Sequence, residues 1–74
     1  MKKNIKPKRN KVNEREVTIL ECLAAGYTDK ETAIVLNITH FRISRLICDL
    51  LHKTGAVNRP QLVSWAYKKG YLKV

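Results

Sequence analysis

The chain has 74 residues, a net charge of +9 and a pI near 10.0, which admits one small domain and points to an anionic partner such as nucleic acid or a membrane surface. No apolar run approaches the roughly eighteen residues of a spanning helix, and no apolar signal-peptide core follows the N-terminal lysines. The two cysteines, on separate predicted helices with no secretory signal, do not make a disulfide framework, so a cytoplasmic protein is expected.

Residues 1–11 hold Lys2, Lys3, Lys6, Lys8, Arg9 and Lys11, no acid, and beyond Met1 only Ile5 with bulk to bury. This composition predicts a disordered basic arm. Such an arm is either a solvated tail or a segment that tracks phosphates, and the rest of the chain favours the second. One compact unit is expected after it, over residues 12–74.

Asn13 opens the first predicted helix as N-cap, with Glu16 at the third helical position completing a capping box and Val12 and Val17 placed as a hydrophobic staple. Ile19, Leu20, Leu23 and Ala24 supply its buried face, Cys22 reads as a small core residue, and Gly26 closes a helix of about 14–25. Thr28 and Glu31 form a second capping box, opening a short helix that carries Ala33, Ile34 and Leu36 inward and stops at Asn37.

Thr39 caps the third helix, which Gly55 ends. Ile43, Ile47, Leu50 and Leu51 fall in one stripe at i, i+4, i+7 and i+8, as a core-facing helix requires, while the other side carries Phe41, Ser44, Arg45, Cys48 and His52. Two helices joined by the short turn Leu36-Asn37-Ile38-Thr39, the second amphipathic and basic on its free face, describe a helix-turn-helix. A generic small helical bundle is the plainer alternative. Cys48 and His52 make half of a zinc site at most, since a structural site needs four ligands; no metal and no cofactor are expected.

Asn58 caps a fourth helix with Pro60 in its first turn and Gln61 at the third position. Leu62, Val63 and Ala66 form its core face, Lys68 and Lys69 suit its negative end before Gly70, and Tyr71 and Leu72 are expected to fold back onto the bundle. Trp65 and Tyr67 flank the core stripe, either as interface anchors or partly buried against the first helix.

These residues resemble the LuxR/GerE-type helix-turn-helix domain of bacterial transcription regulators. The resemblance covers residues 12–72 and rests on Arg15-Glu16, Leu23-Ala24-Ala25-Gly26, Thr28-Asp29-Lys30-Glu31 with Ala33, Ile38-Thr39, Lys53, Gly55, and Asn58-Arg59 with Gln61, Val63, Ala66 and Gly70. No one of them is diagnostic, but the ensemble is specific. It implies an all-α, four-helix domain. Where the family commonly reads Thr-Val-Lys-x-His, this chain has Arg42-Ile43-Ser44-Arg45-Leu46, so a serine replaces the family's contacting lysine.

The resemblance implies a sequence-specific double-stranded DNA-binding regulator, nucleoid-associated, with the recognition helix at about 40–53 in the major groove. Ser44, Arg45 and Cys48 match the base-contacting positions. A guanidinium reads guanine O6 and N7 with two parallel bonds, so Arg45 is the leading specificity residue, with a phosphate role the alternative. Thr28, Lys30, Thr39, His40, Arg42 and Lys53 form the expected phosphate set; the two threonines stand at helix N-termini, which favour anions. The resemblance also implies a homodimer through the last helix, with Ser64, Trp65 and Tyr67 as candidate contacts. No paired-carboxylate, nucleophile-base or Gly-rich phosphate-loop arrangement suggests an enzyme. Eleven residues of arm leave no room for a receiver or ligand-binding domain, so control is expected from synthesis, a partner or competition for sites. The loss of the lysine at Ser44 supports one rival: an interaction protein that heterodimerises with another regulator or binds RNA polymerase. A membrane-active peptide is disfavoured by narrow apolar stripes and matched caps.

Overall fold

Asn13 turns the chain into its first helix: its side chain accepts from the Glu16 amide at 2.8 Å while the Glu16 carboxylate accepts from the Asn13 amide at 3.1 Å. The computed structural model describes residues 12–73; the arm expected over 1–11 lies outside the described residues, as does Val74. Helix α1 spans Glu14–Ala24, α2 Asp29–Leu36, α3 His40–Thr54 and α4 Arg59–Lys68. Every regular element among the described residues is a helix, and each begins at a side-chain cap: Asn13, Thr28, Thr39 and Asn58. Such caps each stabilise by about 1 kcal/mol, a useful share in a domain this small.

The stops are as local as the starts. Asn37 ends α2 in the left-handed conformation, φ 59° and ψ 44°, which asparagine tolerates better than other residues with a Cβ. Gly55 ends α3 at φ 80°, where glycine has no steric penalty.

Ile19 and Leu20 of α1, Ile43, Ile47 and Leu50 of α3, and Leu62 and Ala66 of α4 are buried at the centre, with Val12, Ala33 and Leu72 closing the rim. Burial of each large aliphatic contributes about 1.5–3 kcal/mol. α3 packs against all three other helices and α1 also meets α2 and α4, whereas α2 and α4 do not pack on each other. α3 and α1 therefore share the centre of the core, and the stripe of α3 faces inward as its spacing requires.

Two inward assignments are corrected. Ile34 is 80% exposed, because the buried stripe of α2 runs through Thr32, Ala33 and half-buried Leu36, one step away around the helix. Thr32 is buried without penalty, its hydroxyl donating to the Thr28 carbonyl at 2.9 Å. Ala24, the last residue of α1, is also exposed, beyond the stripe formed by Glu16, Ile19, Leu20 and Leu23. After α4 the chain does fold back: Leu72 is buried and Tyr71 stacks on Trp65 with ring centroids 5.6 Å apart.

Candidate nucleic-acid interface

The turn Asn37-Ile38-Thr39 sets α2 against α3 and leaves one side of α3 uncovered. Phe41, Ser44, Arg45 and Cys48 lie at i, i+3, i+4 and i+7, and all four are exposed. Opposite them Ile43, Ile47 and Leu50 are in the core. One helix thus has an exposed face and a buried spine.

The N-terminus of α3 is open to an anion. Thr39 caps it, accepting from the Arg42 amide at 3.2 Å, and no acid stands in the first turn, so the positive end of the helix dipole is uncompensated. Exposed Arg42 and half-buried His40, whose ring stacks on Phe41 at 4.4 Å, stand beside it. The N-terminus of α2 differs. Thr28 accepts from the Glu31 amide at 3.1 Å, but Asp29 and Glu31 already occupy that first turn. Lys30 is exposed next to them.

The structure puts Lys53 in the scaffold. Its ammonium lies 2.9 and 3.0 Å from the two carboxylate oxygens of Glu16, whose side chain is only 8% exposed. The pair ties the last turn of α3 to the first turn of α1, so the cation expected on a phosphate also serves the scaffold.

Sequence reasoning missed Asp29 and Arg59 as part of this surface. Arg59 donates Nη1 to Asp29 Oδ1 at 2.7 Å and Nη2 to Oδ2 at 3.2 Å, and Ser44 donates its hydroxyl to the same Oδ2 at 2.8 Å. The fork joins the starts of α2 and α4, helices that otherwise do not touch, and it reaches the expected reading face of α3 through Ser44. The Arg59 guanidinium holds the Asp29 carboxyl below its ordinary range, burial opposes this, and the Ser44 hydroxyl adds to the lowering. Asp29 is half-buried and ionised at neutral pH.

On α4, Trp65 is half-buried, Tyr67 is 40% exposed and Ser64 is exposed. The ring partner of Trp65 is Tyr71, from the segment after α4. Cys22 is buried and Cys48 exposed, both as free thiols. No cluster of three or more metal-ligating side chains occurs among the described residues, and no helix among them is long and apolar enough to cross a membrane.

A capped helix-turn-helix whose second helix is buried on one side and exposes Arg42, Ser44 and Arg45 on the other is the arrangement of a DNA-binding domain of a transcription regulator. The chain belongs to the luxR family of bacterial regulatory proteins (GerE), whose model matches residues 11–66. It is similar to the probable transcriptional regulator ycf29 of Pyropia yezoensis, 32% identical over 62 residues, covering 84% of this chain and 28% of the relative. It is also similar to the protein of the same name from Porphyra purpurea, 34% identical over 58 residues, covering 78% of this chain and 28% of the relative. The chain thus spans little more than a quarter of the length of these relatives.

Proposed function

We propose that the chain reads double-stranded DNA sequence-specifically as a homodimer, with α3 in the major groove and α4 at the two-fold axis. Ser44, Arg45 and Cys48 face the bases. Thr39, His40 and Arg42 take phosphates at the open end of α3, with Thr28 and Lys30 as weaker contacts beside the acids of α2. Lys53 holds the scaffold. Ser64 and Tyr67 are exposed for a dimer contact that Trp65 backs from its stack on Tyr71. The basic arm adds affinity without specificity, since lysines on phosphates carry no base information.

The observation that carries this reading is the exposed Arg45 on a helix fixed by three buried residues on its other side, Ile43, Ile47 and Leu50. Arg45→Ala tests it: the cost is about 1–3 kcal/mol on the preferred site, with relaxed preference at one base pair per half-site. Equal loss on specific and random DNA makes Arg45 a phosphate contact. No change on any DNA, with the fold intact, removes α3 from the groove.

A protein partner is the second reading, and exposed apolar groups favour it. Ile34 (80%) and Phe41 (75%) are the barest large hydrophobics. Ile34 and His40, the ring partner of Phe41, line a shallow groove between α2 and the start of α3. Another regulator or RNA polymerase are the partners considered. Ile34→Ala separates the readings, since it removes apolar surface from the groove without placing a negative charge beside Thr39 and His40, and so leaves binding to isolated DNA unchanged while weakening an assembly that uses the groove.

A further inference from the structure

We infer that Asp29 fixes the hydrogen-bonding polarity of Ser44, so that Ser44 offers the major groove an acceptor only and reads the exocyclic amino group of adenine or cytosine. The inference rests on the proposal that α3 lies in that groove. A free serine hydroxyl donates or accepts as its partner requires, and so bonds to any base edge with little discrimination. Ser44 is not free in this sense. Its oxygen stands 2.8 Å from Asp29 Oδ2, and an ionised carboxylate has no proton to give, so the proton between them comes from the serine.

Arg59 makes the arrangement hold. Its two nitrogens on the two Asp29 oxygens fix the plane of the carboxylate and keep it ionised at neutral pH. They also neutralise a charge that would otherwise face the DNA backbone. The hydrogen bonds then run in one direction, from Ser44 into Asp29, and the lone pairs left on Ser44 are strengthened as acceptors by the bond it donates. In the major groove the donors are adenine N6 and cytosine N4. Guanine O6 and N7 and thymine O4 are acceptors, and would meet Ser44 lone pair to lone pair. Asp29 and Arg59 are thus positioning residues that act through Ser44, without touching a base themselves.

The test uses the full chain and a duplex enriched by it from a randomised pool. Ser44→Ala, which leaves the Asp29–Arg59 fork in place, identifies the base pair at which preference flattens, by about three- to tenfold, the worth of one net hydrogen bond. At that pair, a base analogue lacking the amino group (purine for adenine, pyrimidin-2-one for cytosine) should weaken wild-type binding by the same factor and leave Ser44→Ala unchanged. A 7-deazapurine, which lacks the N7 acceptor, should cost nothing in either. Asp29→Asn should erase the penalty for the missing amino group, because its amide N–H₂ donates to Ser44 and releases the hydroxyl proton. Circular dichroism confirms that each variant is folded. A penalty for the lost acceptor instead of the lost amino group overturns the inference, as does a Ser44→Ala variant with unaltered preferences. So does an Asp29→Asn variant that binds all duplexes more weakly while keeping the analogue penalty. A pool from which nothing is enriched overturns the DNA reading itself, and this inference with it.

Discussion

Two ion pairs of the same charge types stand beside α3 in different surroundings. Near its C-terminus, Lys53 meets Glu16 with side chains 27% and 8% exposed; beside its N-terminal half, Arg59 meets Asp29 with side chains 44% and 23% exposed. The first pair is a structural clamp, because the Glu16 carboxylate also closes the capping box of α1 and has little water to fall back on. The second is at the surface, where water compensates either partner and the gain in stability is small. What the second pair retains is an acceptor used by Ser44 on the expected reading face. Burial turns one pair toward stability, and exposure leaves the other available for specificity.

The largest expected effect tests the clamp. Lys53→Met should destabilise the domain by about 2–4 kcal/mol, below the upper reach of a broken buried pair because Lys53 keeps partial contact with water. Urea denaturation measures it. Adding Glu16→Gln should recover part of the loss by removing the stranded charge. A Lys53→Met loss below about 0.5 kcal/mol would put this pair in the same class as a surface pair, and the contrast would collapse.

The next effect falls on the turn that places α2, and with it Asp29, alongside α3. Asn37→Ala puts an ordinary side chain at φ 59° and should cost about 1 kcal/mol; Asn37→Gly should be neutral or stabilising by a few tenths. Thermal denaturation of the two variants checks the sign. If alanine is tolerated as well as glycine, the left-handed stop does not determine where α2 ends.

The four starts were legible because a cap is a rule over four residues: Asn13 with Glu16, Thr28 with Glu31, Thr39, and Asn58 with Gln61. The core of α3 was legible because its stripe is long enough to fix a phase. α2 has eight residues, two turns with apolar side chains at 33, 34, 35 and 36, so the sequence did not show which would face inward, and Ile34 was misassigned. The two ion pairs were not legible at all. Glu16 and Lys53 are separated by 37 positions, Asp29 and Arg59 by 30, and Asp29 and Ser44 by 15. No local spacing encodes such meetings. Asp29 read as one more acid in the first turn of a helix, and the Asn58-Arg59 resemblance marked Arg59 without giving its partner.

The smallest effect concerns the surface pair and depends on pH. Asp29 is held below its ordinary range by Arg59, burial opposing and Ser44 assisting, so the folded state binds this proton less readily than the unfolded chain does. A carboxyl with a lowered folded value stabilises above its unfolded value, roughly pH 3.9 for aspartate, and that contribution disappears as pH falls through the folded value. Asp29→Asn supplies a reference that cannot titrate, and the other carboxylates are common to both proteins. The stability difference between them should therefore be flat from pH 7 to about 5, amount to less than about 1 kcal/mol as an exposed pair warrants, and shrink toward zero below about pH 4. It should also diminish at high salt, which screens exposed charges. Chemical denaturation across that pH range reads it directly. A difference that persists unchanged to pH 2 would mean that Asp29 contributes through helix capping or packing, and not through the charge that Arg59 holds and Ser44 uses.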